Sequence, residues 1–104
     1  MDDPRYVLEK FSNGVRDLAI GIGGIRSRLI DAYGGQIHTA KPGKGLSQEV
    51  NNRIDALRQR LTQVKAQGGE GDLAATVHAM SEQEAVDTAA EIVSLAWAIE
   101  RELP

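Results

Sequence analysis

A glycine–arginine cluster, two histidines and a basic segment hold most of the side chains in this 104-residue sequence that could do chemistry. The cluster, Gly21-Ile22-Gly23-Gly24-Ile25-Arg26-Ser27-Arg28, comes nearest to a binding site. Glycines ahead of a helix leave backbone N–H groups uncovered, the helix dipole favours an anion there, and two arginines can clamp it. Gly23, Gly24, Arg26 and Arg28 are therefore the candidate anion-binding residues. The string matches neither G-x-x-x-x-G-K-[ST] nor G-x-G-x-x-G, and no strand is expected before it. A structural corner, its arginines paired to acids such as Asp17 or Asp31, is the favoured alternative.

His38 and His78 are the only histidines; His38 has no second His, Cys or carboxylate at i+3 or i+4, and His78 has only Glu82, at i+4. A metal needs three or four converging ligands, so both are expected to be surface or packing residues, with no metal and no cofactor. The chain has no cysteine, which removes disulfides, thiolate zinc sites and a cysteine nucleophile. A HEPN-type ribonuclease is a helical rival, but its R-x-x-x-x-H motif is missing: nine residues separate Arg28 from His38. No serine lies in a nucleophile-elbow context. No catalytic residue is assigned, and the chain reads as a non-enzyme.

Charge is unevenly laid out. Residues 1–33 balance, residues 34–67 carry a net +4, and residues 68–104 a net −7, giving −3 for the chain. Lys41, Lys44, Arg53, Arg58, Arg60 and Lys65 form the basic segment, a candidate phosphate-contacting surface. A short helix followed by a longer one at Ser81 has the outline of a helix-turn-helix. The second of these, however, begins with Glu82, Glu84 and Asp87, which phosphates would repel. A nucleic-acid-associated regulator using residues 41–65 is thus the second reading, not the favoured one.

The elements that must position these residues are helical. Asp3-Pro4 opens a helix over about 4–20 by a capping side chain and a proline at the first position. From there Leu8, Phe11, Val15, Leu18, Ile22, Ile25, Leu29 and Ala32 alternate at spacings of three and four without a fault. Gly21, Gly23 and Gly24 oppose continuity, each costing a helix roughly 1 kcal/mol relative to alanine. A break is preferred to one long helix, which leaves a second helix over 25–33 ended by Gly34-Gly35. Residues 34–46 read as a flexible, exposed loop. Ser47 caps a third helix, to about Gln67, with Val50, Ile54, Leu57, Leu61 and Val64 on one face. Glu49 and Arg53 pair at i,i+4, and Gly68-Gly69 stop the helix. A short helix over 72–80 precedes a capping box, Ser81 to Glu84, that opens the last helix over 82–103.

That last helix has two apolar stripes: Ala85, Ala89, Ile92, Ala96, Ile99 and Leu103, and beside it Val86, Ala90, Val93 and Trp97. Such width predicts burial on two sides, as the innermost helix of a bundle or as part of a dimer seam. Ala89, Ile92, Val93, Ala96 and Trp97 are the candidate interface, although a lone tryptophan on an apolar stripe is read first as core. The fold expected is an all-α single domain of four or five helices. The acidic N-terminus shows no apolar signal segment and Ile92–Ile99 is too short to span a bilayer, so a cytoplasmic location without membrane contact is expected.

Three strings resemble a family of small bacterial helical proteins of about this length: G-x-x-R-x-R-L-x-x-A-Y over Gly23–Tyr33 as it stands here, I-x-x-L-R-x-R-L-T over Ile54–Thr62, and A-T-V-x-x-M-S-x-x-E-A over Ala75–Ala85. The likeness extends from about Leu18 to Trp97. Members often carry Asp or Ser at the position of Gly24, which would cap a new helix there. The resemblance implies a shared helical fold and a bacterial origin, and no activity, cofactor or site residue. The expected role is a non-catalytic interaction or accessory module, its partner a second copy of the chain or another protein.

Overall fold

Among the described residues, three of the five helices begin behind a side chain that accepts from one of their first unpaired N–H groups, and two begin behind a glycine. The computed structural model describes residues 1–68 and 71–104. Helix α1 runs Pro4–Ile20, with the Asp3 carboxylate accepting from the Arg5 amide at 2.8 Å. Helix α2 is Ile25–Gly35, and α3 is Gln48–Leu61 behind Ser47, whose Oγ accepts from the Val50 amide. Helix α4 is Asp72–Ala79. Helix α5, Glu82–Glu102, opens on Ser81 and Glu84 with both reciprocal capping bonds made. Among the described residues the remaining regular structure is a 3-10 turn at Ile37–Thr39 and one bridge, Asp2 to Gly43. The architecture is a small all-α bundle.

The glycine break is present. Gly21 leaves α1, and Gly23 turns the chain at φ +95°, a conformation that costs glycine nothing and an L-residue strain. Two boundaries differ from those the spacing predicts. Gly34 and Gly35 complete the last turn of α2 instead of ending it. Helix α3 stops at Leu61, well short of Gln67, although Val64 continues the apolar spacing. The cause lies in α4: Thr76 Oγ1 accepts from the Val64 amide at 2.9 Å, and the Asp72 carboxylate accepts from the Ala66 amide at 2.9 Å. Two amides that another helical turn would have used are thereby taken by distant side chains. Gly68 has φ +96°, while Gly69 lies outside the described residues.

The segment between α2 and α3 is tied down at several points. Ile37, Ala40 and Leu46 are buried. The Asn51 carboxamide grips Gly43 from both sides, accepting from its amide at 2.8 Å and donating to its carbonyl at 3.0 Å. Arg58 donates to the carbonyls of His38 and Ala40. Ile37 reaches α1 because Gly14 has no side chain: a Cβ there would stand 2.5 Å from Ile37 Cδ1.

Helix α5 is the innermost element, packed against α1, α2 and α3. Ala85, Ile92, Leu95 and Ile99 are buried among Phe11 from α1, Leu29 from α2, Leu57 from α3 and Val77 from α4, in one apolar core. Its far end is pinned as well. Both oxygens of Glu102 accept from Ser47, one from the amide and one from the hydroxyl, each at 2.7 Å, joining the last turn of α5 to the first of α3.

Candidate interaction surface

Successive residues of a helix step round its axis by about 100°, so two adjacent apolar stripes cannot share one neighbour. In α5 the stripe of Ala85, Ala89, Ile92, Ala96 and Ile99 faces the bundle. The buried face then widens away from the second stripe, toward Thr88, Leu95 and Ala98. Val86, Ala90, Val93 and Trp97 are left on the outer side: Val93 is half-buried, Ala90 is exposed, Val86 is 43% exposed and Trp97 is 61% exposed. The sequence-based interface is corrected accordingly. Ala89, Ile92 and Ala96 are filled core positions, with Ile92 wholly inaccessible, so they cannot meet a partner while the bundle is folded. Val93 and Trp97 remain, joined by Val86 and Ala90. Trp97 is not a core residue.

Two grooves border this stripe. On the α1 side a shallow hollow of about 150 Å³ is lined by Ser12, Val15, Ala96, Trp97 and Glu100. On the α3 side a cleft of about 420 Å³ is lined by Arg53, Ala56, Arg60, Asp87, Ala90 and Glu91, among others. Its polar wall is ordered. Arg53 makes a two-pronged contact with Glu91, at 2.9 and 3.1 Å, and donates to Ser94 Oγ. That bonding holds the Arg53 guanidinium in its charged form. The i,i+4 pairing of Arg53 with Glu49 gives way to this reach across to α5. The result is an aliphatic–aromatic ridge between two polar-edged furrows.

No family model, curated protein or solved structure matches this chain. The chemistry of the surface itself must therefore carry the functional reading.

The other candidate residues are occupied in ways that explain the fold. Arg26 donates from Nε and Nη2 to the Met80 carbonyl at the end of α4. Arg28 donates from Nη1 to the Leu18 carbonyl at the end of α1, 2.9 Å away. Both guanidinium groups thus satisfy helix C-terminal carbonyls, where cations are favoured, and neither pairs with Asp17 or Asp31. They diverge from Gly23 and Gly24 instead of converging there. The depression at Gly24, Arg26 and Ser27 is also lined by Asp31 and Glu82, which work against an anion.

The basic segment is likewise partly spoken for. Arg53 is held by Glu91, Arg58 by two carbonyls of the preceding segment, and Lys65 by Asp72 at 3.3 Å. Arg60 lines the α3–α5 cleft with Asp87, and only Lys41 and Lys44 project from the 41–46 stretch with their charged ends exposed. These six residues do not share one face. His38 and His78 are exposed. Among the described residues no three His, Asp or Glu side chains gather as metal ligands, and no helix is long and apolar enough to cross a membrane.

Sequence reasoning missed three structural polar residues. Thr88 is buried, with its hydroxyl donating to the Glu84 carbonyl, and Asn51 and Thr76 are buried at inter-element joints. The only signal was their position one step from an apolar residue on a helix, which ordinary surface residues share.

Proposed function

We propose that this chain is a non-catalytic interaction or accessory protein that docks an amphipathic helix on the outer face of α5. The observation that carries this reading is Trp97. It is a large aromatic left mostly in water, at the end of a helical apolar stripe with Val86 and Val93. Aromatic side chains with apolar neighbours and a polar rim are the usual anchors of protein interfaces. The 4-3-4 spacing of Val86, Ala90, Val93 and Trp97 suits the seam of a second helix. That helix belongs to a second copy of the chain or to another protein. A cytoplasmic setting fits the cysteine-free composition, and a bacterial origin follows from the family resemblance.

Trp97 is the only tryptophan, so it reports its own environment. Sedimentation and intrinsic fluorescence over a range of concentrations test self-docking, with dimer formation and a blue-shifted emission expected together. Affinity capture with wild-type chain and with Trp97→Ala tests another protein as partner. A bound protein lost from Trp97→Ala supports the proposal. Monomeric behaviour at every concentration, combined with captures that are identical for the two chains, overturns it.

A further inference from the structure

We propose that the corner between α1 and α2 is a hinge through which two copies of this chain can exchange their N-terminal helices. The observation is a mismatch between register and path. The apolar positions Leu8, Phe11, Val15, Leu18, Ile22, Ile25, Leu29 and Ala32 keep one helical register straight through the corner, as if for an unbroken helix. The folded path breaks that register at a single member. Ile22 is 91% exposed, and Ile20 beside it is 65% exposed, while Phe11, Leu18, Leu29 and Ala32 are buried.

The corner is short, although it reverses the chain and lays α1 alongside α2. The Gly21 amide still bonds the Asp17 carbonyl at 2.9 Å, in the helical pattern, and the Arg28 amide already bonds Gly24 at 3.1 Å. Only the intervening glycines leave the helical path, Gly23 at φ +95°. The strap across the corner is one hydrogen bond, from Arg28 Nη1 to the Leu18 carbonyl, and the neighbouring Arg28 Nε is buried without a protein partner.

Beyond the strap, α1 is held by groups that all lie after the corner. Asp2 accepts from the Lys41 amide through its side chain and exchanges backbone bonds with Pro42 and Lys44. Tyr6 donates to Thr39, Asn13 donates to Gln36, and Gly14 receives Ile37. A second copy offers every one of these partners in the same arrangement, which is the condition for exchange at low cost. Straightened, Pro4 to Gly35 makes a helix about 48 Å long. A straight helix cannot also lay α1 alongside α2 as the folded path does, so an opened α1 leaves its own bundle. It also returns Ile22 to the apolar stripe, where the two crossing arms cover each other's hinge. This surface is separate from the Trp97 face and does not rest on it.

The test changes the hinge without touching the core. Gly21→Ala with Gly23→Ala penalises the corner twice: a Cβ at Gly21 would stand 2.5 Å from the Asp17 carbonyl oxygen, and Gly23 has positive φ. In a straight helix each alanine is instead favoured over glycine by roughly fivefold. Because the chain has no cysteine, Ser12→Cys and Glu100→Cys can be placed in separate chains. The two positions line one hollow, so a short bis-maleimide joins different chains when α1 has been exchanged, and a link that needs Trp97 reports docking instead. The double variant, mixed in this way and refolded at high concentration, is expected to cross-link between chains and to sediment at twice the 11.2 kDa chain mass. Adding Trp97→Ala is expected to leave that outcome unchanged, which separates exchange from docking on α5. Should the double variant fail to fold, Gly24→Ala replaces it, since a Cβ there meets nothing within 4 Å in the corner. Its inter-chain yield is expected to rise roughly fivefold per arm over wild type. A folded variant that stays at the single-chain mass and gives no inter-chain product after refolding overturns the proposal.

Discussion

Ile92 and Val93 are neighbours on one helix, both aliphatic and β-branched, yet one is fully buried and the other lies on the outer, half-open side of α5. The same holds for the two stripes to which they belong. Aliphatic content therefore does not decide which side of a helix is core; the neighbouring helices do. Helices α1, α2 and α3 surround the Ala85–Ile99 side so closely that small alanines suit it, while the side with the larger Trp97 stays open. Here Ala85, Ala89 and Ala96 sit where the neighbouring helices come close, and Trp97 is left on the unfilled side.

The contrast can be broken first at Ile92. Ile92→Ala is expected to lower unfolding free energy by about 2–5 kcal/mol, because a buried aliphatic side chain is lost and a cavity left. Chemical denaturation measures it. A loss below about 0.5 kcal/mol, the range of ordinary surface substitutions, would mean that the bundle-facing side has been misassigned. Gly14→Ala comes next, at about 1–3 kcal/mol, since the added methyl must displace Ile37 across the α1 interface. The same melts show whether the 36–46 segment loosens with it.

Of smaller size is the capping of the helix that bears both stripes. Ser81→Ala is expected to cost about 1 kcal/mol, because Ser81 and Glu84 each satisfy the other's backbone amide. The carboxylates in such joints set a pH dependence. Backbone bonds from Ser47, Ser81 and Ala66, respectively, hold Glu102, Glu84 and Asp72 below their ordinary carboxylate range. Groups depressed in the folded state stabilise it above their unfolded pKa, so this contribution is complete above about pH 5 and is lost as pH falls below about 4, through the lower folded-state values. Thermal melts from pH 7 to pH 3 are expected to fall on the acid side, and Glu102→Gln is expected to flatten part of that slope. Trp97→Ala and Val86→Thr should move stability least, by no more than about 0.5 kcal/mol, and Trp97→Ala should still abolish partner capture. A large destabilisation by Trp97→Ala would place the indole in the fold and erase the difference between the two sides.

Much of this was legible from local chemistry. Asp3-Pro4, Ser47 and the Ser81–Glu84 pair act as the start signals that their residue types specify, and the glycine run breaks the first helix. What escaped detection depends on contacts far apart in the chain. The α3 terminus is set by Thr76 and Asp72, which no window around Leu61 contains. The rotation of α5 could not be read because its apolar residues cover well over half of the helix, so several orientations satisfy the pattern. Arg26, Arg28 and Arg58 looked available for ligands because arginines that satisfy helix-end or turn carbonyls have no fixed sequence spacing from them.

The placing of α5 has a consequence for synthesis. A ribosome releases α1 to α4 before the helix they enclose, and Glu102, which latches that helix to Ser47, emerges later still. Until then the faces of the earlier helices that pack on α5 stay exposed. Folding of this bundle is thus timed to the arrival of its last helical turn, and a chain cut just before α5 leaves four helices without a centre.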